Sequence, residues 1–316
     1  MSYGRAVAVV GPTASGKSAL GVALAQRLNG EIVSADSMQI YRGMDIGTAK
    51  ITPDEARGIP HHMLSVADPT EDYSVARFVE EATACCRDII ARGRLPVIVG
   101  GTGLYVDSLI SGRSFSDMAG DDSLRLSLGE EYDRVGGEAM LEKLRLVDPE
   151  RALKLSASDR RRIIRALEIY GLTGKTITEH DRESAAMPPA FDCAFIRLGF
   201  EDRSVLYERI NSRVDAMIEA GLFGEVSSLL AAGVPADSTA MQAIGYKEAA
   251  RCLKGELSRE EAAELIKLNS RRYAKRQITW FSRRAEALSI SFSRKPDMSA
   301  ALEEALAYIG QVFQED

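Results

Sequence analysis

Gly11-Pro12-Thr13-Ala14-Ser15-Gly16-Lys17-Ser18 is the stretch of this sequence that decides its fold, and it follows directly on an apolar run at residues 6–10. It matches G-x-x-x-x-G-K-[ST], the loop whose backbone N–H groups cradle a di- or triphosphate. The run before it is typical of a buried strand, and apolar residues at helical spacing follow it up to a helix stop at Asn29-Gly30. The alternative is a glycine turn with an incidental lysine. Because strand, loop and helix occur in the required order, we expect all eight residues to contact phosphate.

The bulk properties of the chain limit the class of protein. With 45% hydrophobic and 27% charged residues, the 316-residue chain has the composition of a soluble globular protein. It has no apolar run of membrane-spanning length and no secretory signal pattern, so we expect a cytoplasmic protein without membrane contact. Its four cysteines lack C-x-x-C spacing, which favours reduced thiols over disulfides or zinc. The net charge of −6 argues only weakly against a nucleic-acid partner, because charge is segregated along the chain.

Strand and helix patterns alternate in the N-terminal part. Residues 31–36 and 95–100 are typical of buried strands, and residues 74–92 of a helix between them. This alternation predicts right-handed crossovers and a parallel sheet. The predicted fold class is α/β: a P-loop NTPase-like core with a parallel sheet flanked by helices, plus an inserted all-helical domain.

Asp36 closes the second predicted strand and precedes a glycine-containing loop. Ligands of open α/β sheets bind beyond the carboxyl ends of the strands, so we expect Asp36 to face the same crevice as the phosphate loop. The alternative is that Asp36 only caps the next element.

The third strand lacks an expected acid. Hydrolysing P-loop enzymes usually hold their metal with an aspartate at the end of an apolar strand. Here Gly100-Gly101-Thr102 stands in that place. This argues against an ordinary ATPase and leaves Asp36 as the acidic group nearest the phosphate site.

A helical insertion is predicted where the strand pattern disappears. We divide the chain into a core of residues 1–112 and 191–316 and an inserted domain of residues 113–190. One helix of the insertion carries its basic and apolar residues on opposite faces. The basic face holds Arg161, Arg162 and Arg165, and the apolar face Ile163, Ile164, Leu167 and Tyr170. Since few acids lie nearby, a solvated surface and an anionic partner both remain open.

Arg213 falls within the apolar stripe of a helix predicted from Asp202 to Gly221. A guanidinium that points inward needs an anion, because burying it unpaired costs on the order of several kcal/mol. The anion is either a core carboxylate or a bound phosphate, and the nearby phosphate loop favours phosphate.

A long basic helix is predicted near the C-terminus, opened by the capping box at Ser258 and Glu261. Residues 267–284 contain seven basic and no acidic residues, with Tyr273 and Trp280 among them. Arginines interleaved with aromatics are typical of a surface that binds a nucleic-acid backbone or single strand. The alternative is an amphipathic helix that packs its aromatics on the core, and both can hold at once.

Taken together, these motifs resemble the bacterial tRNA dimethylallyltransferases (isopentenyltransferases) over nearly the whole chain. The matching segments are residues 11–18, 34–50, 73–78, 100–105, 160–176, 241–248 and 276–281. The resemblance implies Mg²⁺-dependent transfer of a dimethylallyl group from dimethylallyl diphosphate to N6 of the adenosine 3′-adjacent to the anticodon. It implies the tRNA anticodon stem-loop as partner and no obligate protein partner.

The resemblance also assigns roles to residues. Asp36 matches the general base, Thr102 the threonine beside it, Arg213 the diphosphate-binding arginine, and Lys17 and Ser18 the phosphate lysine and the metal-linked hydroxyl. Ser18 stands where many relatives have threonine, and either hydroxyl can meet Mg²⁺. The implied tRNA-contacting residues are Asp36, Ser37, Met38, Gln39, Thr102, Arg125, Arg160, Arg161, Arg162, Ile163, Ile164, Met241, Gln242, Ala243, Ile244, Gly245, Tyr246 and Lys247.

Two other functions share part of this pattern. A small-molecule P-loop kinase would use the same loop and Mg²⁺ but would not require the basic–aromatic helix. A nucleic-acid-binding NTPase without transfer chemistry is disfavoured by the missing strand-end aspartate.

Overall fold

A computed structural model of the chain describes residues 2–113 and 121–314. The chain divides into two compact units, one of Met1–Ile110 with Ala190–Asp316 and one of Ser111–Pro189. No helix within these described ranges is long and apolar enough to cross a bilayer.

The first unit is built on a six-stranded sheet in the order β3-β2-β4-β1-β5-β6. Its strands are β1 (Arg5–Val10), β2 (Gly30–Ser34), β3 (His61–His62), β4 (Leu95–Gly100), β5 (Asp192–Phe200) and β6 (Leu288–Phe292). Every neighbouring pair is parallel, as the alternation predicts. Since β1 lies between β4 and β5, the loop that leaves its carboxyl end emerges at the centre of the sheet.

Nine helices of the described chain belong to this unit. They are α1 (Lys17–Arg27), α2 (Pro53–Ala56), α3 (Val75–Ala91), α4 (Gly103–Ser111), α10 (Arg203–Glu219), α11 (Leu222–Ala231), α12 (Tyr246–Leu253), α13 (Arg259–Phe281) and α14 (Met298–Gln314). Helix α3 begins where the sequence pattern predicts, and Ser74 caps it, because its Oγ accepts from the N–H of Arg77. The predicted stop of α1 is slightly displaced. This helix ends at Arg27, Asn29 takes the left-handed conformation, and Gly30 already begins β2.

One hydrophobic core of this unit lies between the sheet and two helices distant in sequence, α1 and α14. Val7, Val9 and Val97 of the central strands pack there against Leu20 and Leu24 of α1. Strand β6 and helix α14 were not predicted from the sequence. They follow the basic helix α13, which is thus not the last element of the described chain.

The second unit consists of helices in its described part. They are α5 (Asp122–Val135), α6 (Gly137–Val147), α7 (Pro149–Ala152), α8 (Arg160–Thr173) and α9 (Ile177–Ala186). Ile163, Ile164 and Leu167 of α8 are buried in its core, as the helical periodicity predicts. The same periodicity also placed Tyr170 on the apolar face, and for this residue the prediction is wrong. Tyr170 is 39% exposed near the C-terminal end of the helix.

Glu31 is a buried carboxylate at the start of β2. Its carboxylate accepts hydrogen bonds from the guanidinium groups of Arg92 and Arg94 and lies 2.7 Å from His62 Nε2. The hydrogen bonds from Arg92, with a smaller contribution from His62, lower the pKa of Glu31 to about 2, although burial opposes the shift. The charged form is therefore the stable one in the folded chain.

Glu31→Gln is expected to lower the free energy of unfolding by about 2 kcal/mol at neutral pH, because it removes a buried charge-assisted network. The contribution of Glu31 is present above its unfolded pKa of 4.5 and is lost as pH falls towards the folded value of about 2. Urea unfolding across this range should therefore show the difference from wild type shrinking with acid. Asp88→Asn, which removes an exposed partner of Arg92, is the control and should cost less than about 0.5 kcal/mol. A Glu31→Gln deficit that does not change with pH would contradict the assignment.

Candidate active site

The phosphate loop joins the end of β1 to the N-terminus of α1. Gly16, in the left-handed conformation, occupies the N-cap, and within the described residues no side chain caps the helix. The first N–H groups of α1 therefore remain available to an anion, whose charge the helix dipole also stabilises. Ser15 Oγ is buried and has no hydrogen-bond partner among the described residues. A bound phosphate oxygen would satisfy such groups.

Lys17 points back over the same loop. Its Nζ donates a hydrogen bond to the carbonyl oxygen of Pro12 at 2.7 Å. Burial lowers the pKa of Lys17 to about 7; Arg213 acts in the same direction, and Asp36 opposes it. The three charged groups, from three different elements, are thus close enough to influence one another.

Asp36 and Thr102 meet because they follow neighbouring strands, β2 and β4. Thr102 Oγ1 accepts from the N–H of Ser37 at 3.0 Å, and the N–H of Thr102 donates to the carbonyl oxygen of Ala35 at 3.2 Å. Asp36 Oδ1 accepts from the N–H of Met38 at 2.9 Å. Asp36 therefore makes a local turn contact, as in the capping alternative, and also lines the cavity described below.

Arg213 lies beside the buried stripe of α10 that contains Leu206, Ile210 and Val214. Its Nη2 lies 3.5 Å from the carbonyl oxygen of Ala49, and none of the described carboxylates forms an ion pair with it. Burial lowers the pKa of Arg213, although the charge of Asp36 opposes that shift. The sequence left two possible partners for Arg213, a core carboxylate or a bound phosphate. Within residues 2–113 and 121–314, no carboxylate forms an ion pair with it.

Two adjoining cavities of about 310 and 80 Å³ surround these groups. Thr13, Asp36, Thr48, Arg213 and Tyr273 line both of them, whereas Lys17, Ser18 and Gly101 line only the smaller one. The larger cavity also has an apolar wall formed by Ile210, Val214, Met217 and Ile266. The site thus joins a charged end, at the phosphate loop, to an apolar chamber.

Ser18 is the residue that could meet a metal ion. Its side chain is exposed and lines the cavity that Asp36 and Lys17 also line. The part of the chain that the structure describes contains no cluster of three or more His, Cys, Asp or Glu residues suited to a metal. Magnesium commonly keeps several waters and takes only one or two protein ligands beside phosphate oxygens, so this donor set fits Mg²⁺ held mainly by a phosphorylated substrate.

Gln277 is a site residue that the sequence analysis did not single out. From the buried face of α13, its Oε1 accepts from the N–H of Thr13 at 2.8 Å and its Nε2 donates to the carbonyl oxygen of Gly101 at 3.0 Å. One side-chain amide thereby joins the phosphate loop to the turn after β4. The available signal was an uncharged polar residue on the buried side of a basic helix, between Ala274 and Phe281.

Most of the basic residues of α13 and of the two positions that follow Ser282 fall into two groups, those that form ion pairs and those that are exposed without one. Lys267 pairs with Asp215 and Glu264, and Arg284, just after the helix, pairs with Asp107 and Glu286. Between residues 267 and 284, the exposed basic side chains that have no ion pair among the described residues are Arg272, Lys275, Arg276 and Arg283. Trp280 Nε1 donates to Asp107 at 2.6 Å, so this aromatic residue is held against α4 and yet remains 37% exposed. The packing alternative therefore holds for Trp280, and a nucleic-acid surface at the exposed basic residues stays a prediction.

Residues 241–247 mix exposed and buried side chains. Gln242 is exposed, and Gln242, Ala243, Ile244 and Lys247 line the larger cavity. Met241 and Tyr246 are fully buried, and Gly245 lies in the turn between them. Direct contact of the two buried side chains with a ligand is not available in this conformation.

In the helical unit the structure assigns partners to most predicted arginines. Arg125 and Arg165 both bind the buried carboxylate of Glu168, and Arg160 binds Asp133. Arg162 has only a long pairing with Asp159 at 3.8 Å. Arg161 is exposed and has no ion pair in the described ranges. Ile163 and Ile164 are core residues, so any contact they make with a ligand is confined to their backbone.

By its fold this chain is a P-loop protein, and its site is suited to a phosphorylated substrate. The family described as IPP transferase matches residues 39–284, and the one described as isopentenyl transferase matches residues 4–66. A tRNA dimethylallyltransferase of Thermoanaerobacter sp. (strain X514) is 52% identical over 87% of this chain and 88% of that protein. Another, of Geobacillus thermodenitrificans, is 48% identical over 96% of this chain and 95% of that protein.

Solved structures agree with these sequence matches. The full-length tRNA isopentenylpyrophosphate transferase of Bacillus halodurans has a TM-score of 0.73 and 43% identity, over 98% of this chain and 97% of that one. A eukaryotic dimethylallyltransferase acting on tRNA has a TM-score of 0.83 and 30% identity, over 98% of this chain and 80% of that one. The chain belongs to the IPP transferase family.

Gln277→Leu is expected to lower the free energy of unfolding by about 2 kcal/mol, because it leaves the N–H of Thr13 and the carbonyl of Gly101 without their partner. It should also weaken binding of pyrophosphate, since the phosphate loop loses its tie to α13. Urea unfolding and calorimetric titration measure the two effects. Gln26→Leu, at an exposed position of α1, is the matched control and should change neither. Normal pyrophosphate affinity in Gln277→Leu would show that the loop is positioned without this amide.

Proposed function

We propose that this chain transfers a dimethylallyl group from dimethylallyl diphosphate to N6 of the adenosine 3′-adjacent to the anticodon of tRNA, releasing pyrophosphate. The observation that carries the proposal is the lining of one continuous site by Lys17, Arg213 and Asp36. Two cations suit the departing diphosphate, and a carboxylate suits the proton of the attacking amine. The reported relatives all carry transferase names, which favours this function over the small-molecule kinase.

The donor would bind with its diphosphate at the charged end of the site. The N–H groups of residues 11–18, the ammonium of Lys17 and the guanidinium of Arg213 would hold its oxygens. Its hydrocarbon group would then lie in the apolar chamber formed by residues such as Val214 and Ile266. Ser18 would hold Mg²⁺, which when bound neutralises negative charge on the diphosphate.

The chemical step needs a base because the exocyclic amine of adenine is a poor nucleophile. Asp36 accepts the proton from N6, the new N6–carbon bond forms, and the carbon–oxygen bond to the diphosphate breaks. Negative charge then grows on the leaving oxygens, where Lys17 and Arg213 stabilise it. Thr102, bonded to the N–H of Ser37, fixes the turn that carries Asp36. The adenosine must leave the anticodon stack to reach this carboxylate, so we expect a flipped nucleotide.

The tRNA would be held by exposed basic side chains on both units. On α13 and directly after it these are Arg272, Lys275, Arg276 and Arg283, and on α8 they are Arg161 and Arg162. Arg125 and Arg165 have a structural partner in Glu168, so their loss would act first on the stability of the helical unit.

The function is tested by incubating the protein with labelled dimethylallyl diphosphate, Mg²⁺ and total tRNA. Label should enter tRNA with release of one pyrophosphate for each group transferred. An absence of label in tRNA, together with consumption of ATP on a small metabolite, would replace this proposal with the kinase.

Asp36→Ala is expected to lower the rate of transfer by about 10²–10⁴-fold, the usual contribution of a positioned general base. Affinity for tRNA, measured by filter binding, should stay within a few-fold of wild type because the basic surfaces are unchanged. Asp54→Asn, at an exposed position of α2, serves as a control that keeps the base. Full activity of Asp36→Ala would refute the role given to Asp36.

The double substitution Arg161→Ala and Arg162→Ala should weaken tRNA binding and reduce the slope of log affinity against log salt by about 1–2. These two arginines are exposed and leave Glu168 paired. Arg165→Ala is the comparison variant and should instead lower the melting temperature, because it removes a bond to that buried carboxylate. Unchanged binding and salt dependence in the double variant would make this face a solvated surface.

A further inference from the structure

Glu225, on α11, binds a loop that belongs to the active site. Its carboxylate accepts hydrogen bonds from three successive backbone N–H groups, those of Asp45 at 2.9 Å, Ile46 at 2.8 Å and Gly47 at 3.1 Å. Successive N–H groups that converge on one point form an anion-binding concavity, and here the chain supplies the anion itself. Hydrogen bonds to a charged carboxylate are among the stronger ones in proteins.

Tyr246 shares the same carboxylate from the other side. Its hydroxyl donates a hydrogen bond to Glu225, and its ring is fully buried. Burial raises the pKa of Tyr246, and so does the bond to Glu225, which keeps the phenol neutral and able to donate. The loop packs directly on this ring, because a Cβ at Gly47 would lie 2.5 Å from Tyr246 Cε2. Only glycine allows that approach.

The loop held by Glu225 touches the groups that surround the donor cavity. Gly47 and Thr48 line the larger cavity. The carbonyl oxygen of Thr48 accepts from Gln39 Nε2 at 3.1 Å, and that of Ala49 lies 3.5 Å from Nη2 of Arg213. The backbone carbonyl nearest to the Arg213 guanidinium is therefore set by the path of residues 45–50.

We propose that Glu225 is a positioning residue for the transfer reaction: by fixing the N–H groups of residues 45–47 it holds this loop where the Ala49 carbonyl directs Arg213 into the donor cavity. Tyr246 ties the same carboxylate to the segment 241–247, of which Gln242, Ala243, Ile244 and Lys247 line that cavity. The inference rests on the proposed function for the role of Arg213. It adds a residue that lines neither cavity.

The loop has other ties, so loss of Glu225 should redirect it rather than unfold it. Lys50 Nζ donates to the carbonyl oxygen of Tyr41 at 2.8 Å and to Ser65 Oγ at 2.8 Å, and Thr48 Oγ1 donates to the carbonyl oxygen of Met44 at 2.6 Å. These bonds anchor the loop at residues 44–50 without involving Glu225. The expected defect is therefore in donor binding and not in global stability.

The test compares Glu225→Gln, Tyr246→Phe and their combination in the full chain, with Glu219→Gln at an exposed position of α10 as the matched control. Glu225→Gln keeps the shape but loses the charge, and the KM for dimethylallyl diphosphate should rise about tenfold. The KM for tRNA should stay within twofold of wild type, and the melting temperature within a few degrees. Tyr246→Phe should shift the donor KM in the same direction by less. The combination should raise the donor KM by less than the product of the two single fold-changes, because both substitutions act on one carboxylate.

Two results would overturn the proposal. One is a donor KM within twofold of wild type in Glu225→Gln. The other is a rise in the KM for tRNA that matches the rise in the donor KM, together with a clear fall in melting temperature. A purely structural role predicts that result. Calorimetric titration with pyrophosphate separates this proposal from the function itself, because it needs no transfer. If wild type transferred no prenyl group, the proposed function would fail, and a pyrophosphate affinity about tenfold weaker in Glu225→Gln would still support the positioning role.

Discussion

The active site depends on one side-chain amide, that of Gln277, which is hydrogen-bonded at both of its ends to backbone. Its oxygen holds the phosphate loop at Thr13 and its nitrogen holds Gly101 after β4. These two segments follow adjacent strands, so the sheet brings their ends together but does not fix the distance between the loops that leave them. The amide fixes it, and it also seats α13 over the site, with Tyr273 lining both cavities. Helix α13 thus exposes Arg272 and Arg276 on one side, and on its buried side Gln277 organises the phosphate site.

The electrostatics of this site call for an anion. Burial lowers the pKa of both Lys17 and Arg213, and the two cations repel each other, while Asp36 is the acidic group that opposes the shift in each case. A single carboxylate that also serves a backbone N–H cannot satisfy two cations and the free N–H groups of α1. A diphosphate would supply the missing charge and acceptors, and under the proposed function the same groups would stabilise its departure as pyrophosphate.

Much of this site follows from local sequence, and the remainder does not, for physical reasons. The phosphate loop, the position of Asp36 just after β2 and the start of α3 at Ser74 are set by residues adjacent in the chain, so their patterns predict them. Gln277 and Glu225 act on backbone groups 264 and 178–180 residues away, and no periodicity reports such a partner. The arginines of α8 illustrate the same limit. Their helical face was predicted from the sequence. Only the fold reveals that Glu168, an acid of the same helix, is buried and already binds Arg125 and Arg165.

The missing aspartate at the end of β4 has a steric cause. A Cβ at Gly100 would lie 2.2 Å from the carbonyl oxygen of Ala35, so no side chain fits at this strand end unless β2 moves away. The same close approach lets the N–H of Thr102 bond Ala35 and places its hydroxyl on Ser37, beside Asp36. A P-loop hydrolase needs a strand-end acid directed at its metal. Here the contact between Gly100 and Ala35 excludes an acid at the end of β4. The same contact supports the turn that carries Asp36 after the neighbouring strand β2, where Asp36 lines the chamber that would receive the acceptor amine. Under the proposed function, the close contact between Gly100 and Ala35 would exclude an acid directed at the metal, and Asp36 after β2 would instead accept the proton of the amine, as a phosphate loop that serves transfer requires.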